Sequence, residues 1–412
     1  MTRPVVTPSV FQLIRRITPR QSALSGMLAL GLLSACAPDK NESAGDVADA
    51  GLADTQVGEE YAWLELPPGF PLPAIPDDNP LTPEKAELGR HLFYDTRLSA
   101  NQTMSCASCH LQELAFTDGR PQGIGSTGEV HPRSSMSLVN VGYLSTLTWS
   151  NPLMTSLEYQ ALLPIFGRSP VELGMADQED ELLRRLGESE YADLFEQAFP
   201  GETPAISLLH ITQALASFQR TIISGNSPFD RYMQGDVEAL SPSALRGLEL
   251  FFSERAECFH CHGGFTFTDS VDHAGVGQAA RPFHNTGLYN VDGEGAYPEN
   301  NQGILEVTGL AEDMGAFRAP TLRNIAVTAP YMHDGSIADL NAVLDHYAAG
   351  GRTISEGEYA GVGSESPFKS PLVRGFVLSE SERADLIAFL ESLTDETLLT
   401  DPRFSNPFAE SP

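Results

Sequence analysis

Basic side chains are scarce in this sequence. Lys and Arg number 25 against 55 Asp and Glu, a net charge of −30 over 412 residues. Such a balance argues against nucleic acid as a partner, since phosphate binding needs a basic patch. Basic or neutral protein partners stay open. Apolar runs long enough to cross a bilayer are missing too. The one pronounced run, Ala23 to Leu33, falls short of the ~20 residues that a spanning helix needs. Tryptophan occurs only as Trp63 and Trp149, and Trp63 receives no role. Cysteine occurs five times, an odd count that no simple disulfide framework uses up. With 41% hydrophobic and 19% charged residues the composition is still globular, and the length allows two or three domains with a sizeable core.

Four of the cysteines fall into one pattern. Cys106 and Cys109 stand in Cys-Ala-Ser-Cys-His, and Cys258 and Cys261 in Cys-Phe-His-Cys-His. This is the attachment pattern of c-type haem: two thiols form thioethers with the vinyl groups, and the next histidine reaches the iron. His110 and His262 are therefore the expected proximal ligands. A zinc site usually needs four ligands at paired spacings, and a thioredoxin-like pair needs no following histidine. Two copies favour two covalently bound haems.

The fifth, Cys36, closes Leu33-Ser34-Ala35-Cys36, after a segment holding Arg3, Arg15, Arg16 and Arg20 and no acid. The pattern is similar to a bacterial lipobox. Residues 1–35 would be the lipoprotein signal peptide, and Cys36 would take a diacylglycerol. An ordinary signal peptide with a chance cysteine is the alternative. Ala37 follows where an inner-membrane retention signal would place Asp. The expectation is a periplasmic or surface-side protein of a Gram-negative bacterium, held at the outer membrane only through its lipid. Residues 36–80 read as a flexible tether, then a Pro- and Asp-rich lead-in.

Helical patterns dominate the remainder. Thr82-Pro83-Glu84 opens one helix, Ser241-Pro242 another, and Ser379 with Glu382 forms a capping box for a third. Residues 178–198 and 205–223 are amphipathic, and alternating strand patterns are few. The fold class is mainly α: two c-type cytochrome-like haem domains with long irregular loops. The expected boundaries are 81–230 for an N-terminal, peroxide-reactive domain and 231–375 for a C-terminal one. A helix and tail over 376–412 should pack back on the first. Residues 263–335, rich in Gly, Pro and Asn, form a stretch long enough to suggest function.

Beyond the haem motifs, the sequence carries Leu88-Gly89-Arg90-His91-Leu92-Phe93-Tyr94-Asp95, Pro320-Thr321-Leu322-Arg323-Asn324 and Thr328-Ala329-Pro330-Tyr331-Met332-His333-Asp334-Gly335. Over roughly residues 80–400 it resembles the bacterial di-haem cytochrome c peroxidases and their relative MauG. Within that family it looks most like the branch of MbnH, a di-haem enzyme associated with methanobactin operons.

The resemblance implies a distal ligand on the second haem, methionine in peroxidases and tyrosine in MauG-like enzymes. The matching position is Tyr347. Leu340, Val343, Leu344 and Tyr347 fall at i, i+3, i+4 and i+7, so the tyrosine faces inward before Gly350-Gly351 stops the helix. Spacing alone is better served by a core tyrosine with a hydrogen-bonded hydroxyl; the resemblance makes it a ligand. A phenolic oxygen is hard and favours oxidised iron, whereas methionine is soft and favours Fe(II). The resemblance further implies that peroxide yields two coupled Fe(IV) centres able to oxidise tryptophan on another protein.

Over the first haem the family places Gln and Glu, matched by Gln160 and Glu172, the latter to shuttle a proton during O–O cleavage. The spacing between them is two residues longer than usual. Trp149 matches a tryptophan between the haems, one residue out of the usual spacing. A calcium ion between the haems is also implied, with Ser134, Thr328 and Pro330 at the ligand positions, although the family has Asn where Ser134 stands. His131 does not align with the peroxidase distal histidine, which suggests a first haem without a sixth protein ligand. His284 lines a pocket or serves structure. Arg318 and Arg323 are candidates to pair with haem propionates.

Three readings follow. The first is a MauG/MbnH-type oxidoreductase that uses hydrogen peroxide to oxidise tryptophan on a partner protein. The second is a cytochrome c peroxidase fed by a small electron-transfer cytochrome or copper protein. The third is a di-haem electron carrier without enzymatic activity.

Overall fold

Two helix pairs built to one plan carry the architecture. In the computed structural model, which describes residues 58–188 and 190–409, α1 (Pro83–Tyr94) crosses α2 (Leu208–Thr221). Further along, α3 (Pro242–Phe251) crosses α5 (Glu380–Glu391), with α4 (Leu340–Ala348) between them in sequence. The starts follow from local chemistry. Thr82 accepts from the Lys85 amide and Ser241 from the Ala244 amide, and a proline occupies the first turn in both helices. Ser379 and Glu382 close the capping box.

The crossings depend on glycine. A Cβ on Gly89 would lie 1.9 Å from the Ala214 carbonyl oxygen; one on Gly247 would lie 1.9 Å from that of Asp385. Four residues beyond each glycine a phenylalanine meets the partner helix, Phe93 on Phe218 at 5.2 Å and Phe251 on Phe389 at 5.1 Å between ring centroids. The chain is thus mainly helical, in two cytochrome-like halves. Its only named strands among the described residues, β1 (Thr353–Ile354) and β2 (Gly361–Val362), make a small antiparallel hairpin.

The segment 376–412 departs from expectation. Helix α5 packs on α3, inside the C-terminal half, because Leu386, Phe389 and Leu390 fill that core and Asp385 binds Ser243 and Arg246. Only the following tail reaches the N-terminal half. There Tyr94 and Arg90 donate to the carbonyls of Phe404 and Ser405, and Gln112 donates to that of Leu398. The short helix Pro228–Met233 also belongs with the C-terminal half, since Phe229 packs on Phe267 and Phe389. The junction therefore lies just before it, where Asp395 accepts from Ser224, Gly225 and Asn226.

The lead-in lies along the folded body. Phe70 packs against Tyr143 and Phe265, Tyr143 donates to the Pro71 carbonyl, and Pro67 covers Gly225. Cys36 and the signal segment fall outside the described residues. No described helix is long and apolar enough to cross a membrane.

Candidate active site

Two cavities, of about 1640 and 1350 Å³ of empty space, open in the N-terminal and C-terminal halves. The first is lined by Cys106, Cys109 and His110, the second by Cys258, Cys261 and His262. Trp149 lines both.

The two motifs are held in the same way. Each begins as a short 3-10 turn, and the histidine amide donates to the carbonyl of the first cysteine. The imidazole Nδ1 of His110 lies 2.8 Å from the Phe116 carbonyl, and that of His262 lies 3.2 Å from the Phe267 carbonyl. Both phenylalanines sit in the left-handed region, at φ +61° and +52°, an unusual conformation for a bulky residue. It turns the carbonyl towards the ring, and when Nδ1–H donates to it Nε2 is the base. Burial lowers both histidine pKa values, which keeps the rings neutral.

The four motif cysteines are unbridged. Burial pushes the thiols of Cys106 and Cys258 up to about 12 and that of Cys109 to about 11. Such thiols stay protonated near neutrality, which counts against a reactive redox pair. Cys261 comes near Asp269 and His284 as a conceivable metal group, but covalent attachment would use its sulfur. Paired thiols and a free imidazole nitrogen opening on a roomy cavity, twice over, fit covalently attached haem.

In the second cavity α4, capped by Asp339, presents Leu340, Val343, Leu344 and Tyr347 together. Among the described residues the Tyr347 hydroxyl has no hydrogen-bond partner. Burial and the neighbouring cysteines raise its pKa. A core tyrosine would have found a partner; this one keeps its oxygen for the cavity. His333 also lines this space, stacked on Phe317 at 3.7 Å, with its Nε2 unpartnered. His284 lines it too, its Nε2 2.6 Å from Asp269.

Arg318 and Arg323 separate. Arg318 lines the second cavity, its guanidinium donates among the described residues only to the Thr148 and Ala319 carbonyls and the Met136 sulfur, and it is held down to about 10 by burial. A buried guanidinium without a carboxylate suits a propionate. Arg323 does not: both its terminal nitrogens bind Asp230 at 2.9 Å, and its Nε donates to the Phe265 carbonyl. Its expected propionate role is withdrawn, because the fork is already filled.

Gln160, Glu172 and His131 all line the first cavity. His131 Nε2 lies 4.0 Å from Glu172 Oε1. The hairpin closed by the Ile124–Val130 bridge brings His131, which does not align with the peroxidase distal histidine, to the Glu172 loop, where the Ser126 amide donates to the Glu172 carbonyl. Burial raises Glu172 to about 7. The nearby Glu158 is also pushed up by burial, but Arg220, Asn79 and Ser156 bring it down to about 2. Glu172 is thus the carboxylate poised to exchange a proton near neutrality.

Trp149 is clamped between the halves. Its Nε1 donates to the Ser134 carbonyl, and its own carbonyl accepts from the Arg318 amide. Ser134 in turn packs against the loop after Pro330, its hydroxyl donating to the Met332 carbonyl at 3.1 Å. The carbonyls of Thr328 and Pro330 accept no hydrogen bond among the described residues.

The sequence and fold compare closely with known proteins. The di-haem cytochrome c peroxidase family matches residues 83–238. MauG, the methylamine utilization protein of Methylorubrum extorquens, is 39% identical over 322 residues, covering 78% of this chain and 81% of that protein. The cytochrome-c peroxidase IdrP1 of a Pseudomonas species is 37% identical over 353 residues, covering 81% and 88%. A solved MauG-like protein associated with microbial copper homeostasis shares 50% identity at a TM-score of 0.82, over 84% of this chain and 99% of that one.

Proposed function

The chain belongs to the di-haem cytochrome c peroxidase and MauG family and is a peroxidase-type oxidoreductase, and from that premise we propose that it uses hydrogen peroxide to oxidise tryptophan on a partner protein. The observation that carries this reading is the unpartnered Tyr347 hydroxyl in the cavity that also holds His262. When bound, the two haems supply the redox chemistry. Every other task falls to side chains. His110 and His262 would hold the irons. Tyr347 offers a hard phenolic oxygen, which favours the oxidised states over those a methionine would favour. Glu172 takes and returns a proton at Oε1 or Oε2, with Gln160 beside it to orient peroxide. Trp149 borders both cavities, and Arg318 would pair with a propionate.

The test is Tyr347→Met in the haem-loaded protein. A shift of the second haem to a higher potential, with loss of partner oxidation and retained peroxide consumption, is expected. Unchanged haem spectra would remove Tyr347 from the iron.

A second reading, peroxide detoxification with electrons from a small cytochrome or copper protein, draws support from the similarity to IdrP1, named a cytochrome-c peroxidase. Rapid turnover with reduced cytochrome, exceeding partner oxidation, would establish it. The electron-carrier reading leaves the neutral-range carboxyl of Glu172 without a purpose.

Two extensions accompany the proposal. A calcium ion at Ser134, Thr328 and Pro330 should be lost to a chelator, with a change in coupling between the haems. A lipid on Cys36 should appear as palmitate labelling that Cys36→Ser abolishes.

A further inference from the structure

An oxidising equivalent generated in the second cavity needs a route to a protein too large to enter it. One wall of the second cavity is Tyr297, a buried residue. Its ring centroid lies 5.4 Å from that of Tyr289, also buried, in an edge-to-face contact. Tyr289 lies 5.9 Å from Tyr359, again edge-to-face. Tyr359 is 42% exposed, in the turn between β1 and β2. Three rings therefore connect the cavity wall to solvent.

Their surroundings differ in a way that matters for redox chemistry. Tyr289 donates to Asp334 Oδ2 at 2.6 Å. Asp334 also accepts from the Ser336 amide, and Arg352 binds the Ser336 hydroxyl while its guanidinium lies 6.0 Å from the Tyr289 ring centroid. Removing an electron from a phenol makes its proton strongly acidic, so a carboxylate already bonded to it eases the loss. Tyr297 has no such base. Its hydroxyl donates to the Asn285 amide oxygen and accepts from the Leu288 amide. Tyr289 is the ring prepared to stop a charge, and Tyr297 the ring that bridges to it. The hairpin is fixed against this group: a Cβ on Gly361 would lie 2.1 Å from the Asn290 carbonyl oxygen, and Asn290 donates to the Val362 carbonyl.

We propose that Tyr297, Tyr289 and Tyr359 form a relay that carries oxidising equivalents from the second cavity to the surface, with Asp334 as the proton acceptor of Tyr289. The proposal rests on the function argued above, which supplies hydrogen peroxide as the two-electron oxidant. In each passage one electron leaves Tyr289 towards the cavity across the Tyr297 ring. The Tyr289 O–H bond breaks, the proton moves to Asp334 Oδ2, and a neutral tyrosyl radical beside a neutral carboxylic acid remains. An electron then comes from Tyr359, or through it from an oxidisable side chain of a docked protein. Asp334 returns the proton to Tyr289, and the donor at the surface releases its own proton to water.

The experiment uses the haem-loaded full chain with one equivalent of hydrogen peroxide and no partner. Electron paramagnetic resonance with ring-deuterated tyrosine, together with spin-trap mass spectrometry, reads the radicals. The expected result is a tyrosyl signal that narrows on deuteration and a trap adduct on Tyr359. Tyr289→Phe should remove the adduct and slow decay of the peroxide-induced absorption about tenfold, with its initial amplitude unchanged. The surface variant Tyr359→Phe should retain the tyrosyl signal and lose the adduct. An unchanged adduct and decay in Tyr289→Phe would overturn the relay. So would a wild-type absorption change with no tyrosine radical, leaving the parent reading intact. No absorption change at all would overturn both.

Discussion

The indole Nε1 of Trp149 lies 3.0 Å from the carbonyl oxygen of Ser134 and donates its hydrogen to it. That bond, with the Arg318 amide on the Trp149 carbonyl, fixes the one side chain that borders both cavities among the described residues. Trp149→Phe keeps an aromatic ring but removes the donor. The expected outcome is about a tenfold slower oxidation of the partner, with peroxide consumption at the first cavity retained. Stopped-flow absorption separates the two; equal slowing of both would refute a linking role.

Glu172 gives a pH prediction. Burial raises its carboxyl to about 7, so the fraction able to accept a proton grows as pH rises through neutrality. The rate of reaction with peroxide should climb from pH 6 to 8, roughly the window around that value. Glu172→Gln should lower the rate on the order of 100-fold and flatten the profile. The stability sign is opposite. A raised folded pKa favours the protonated form, so its contribution is full below the ordinary value of 4.5 and is lost as pH rises through about 7.

The helix crossings predict a matched pair of defects. Gly89→Ala and Gly247→Ala would each drive a methyl group into a backbone carbonyl. Each should cost about 3 kcal/mol or more, read as a lowered midpoint in denaturant. Gly187→Ala, at a helical position with nothing within 4 Å, serves as the control and should be neutral or stabilising.

The two arginines should part company in mutants. Arg323→Leu leaves Asp230 buried without its partner and should destabilise the fold by about 3–5 kcal/mol, without a specific change at the second haem. Burial pushes the Asp230 carboxyl up, but Arg323 and Ser227 bring it below its ordinary value. The stability from this pair is therefore present above pH 3.8 and fades as pH falls through the lower folded value. Arg318→Leu should instead change haem loading and potential. Identical phenotypes would contradict the distinction.

What the sequence disclosed was local. The cysteine spacings, the proline-led helix starts, the Ser379–Glu382 box and the i, i+3, i+4, i+7 face ending in Tyr347 each depend on neighbours within two turns, and each is found in the structure. What it concealed was long-range. Arg323 meets Asp230 across 93 positions, which no spacing rule anticipates. His131 reaches Glu172 only because a hairpin folds back. The placement of α5 on α3 turns on Gly247, whose lack of a side chain gives no pattern until the partner helix is known. Tyr289 and Tyr359 stand 70 positions apart, and the carboxylate that equips one of them comes from yet another loop.

The repeated use of a left-handed phenylalanine behind each histidine has a historical reading. Two halves that share a glycine crossing and an identical carbonyl brace look like copies of one ancestral gene segment, fused end to end. Once joined, neither copy had to perform the whole task. One was free to keep an acid beside an accessible pocket, the other to acquire a phenol, and the division of labour could evolve without altering the brace that either copy needs to seat its cofactor.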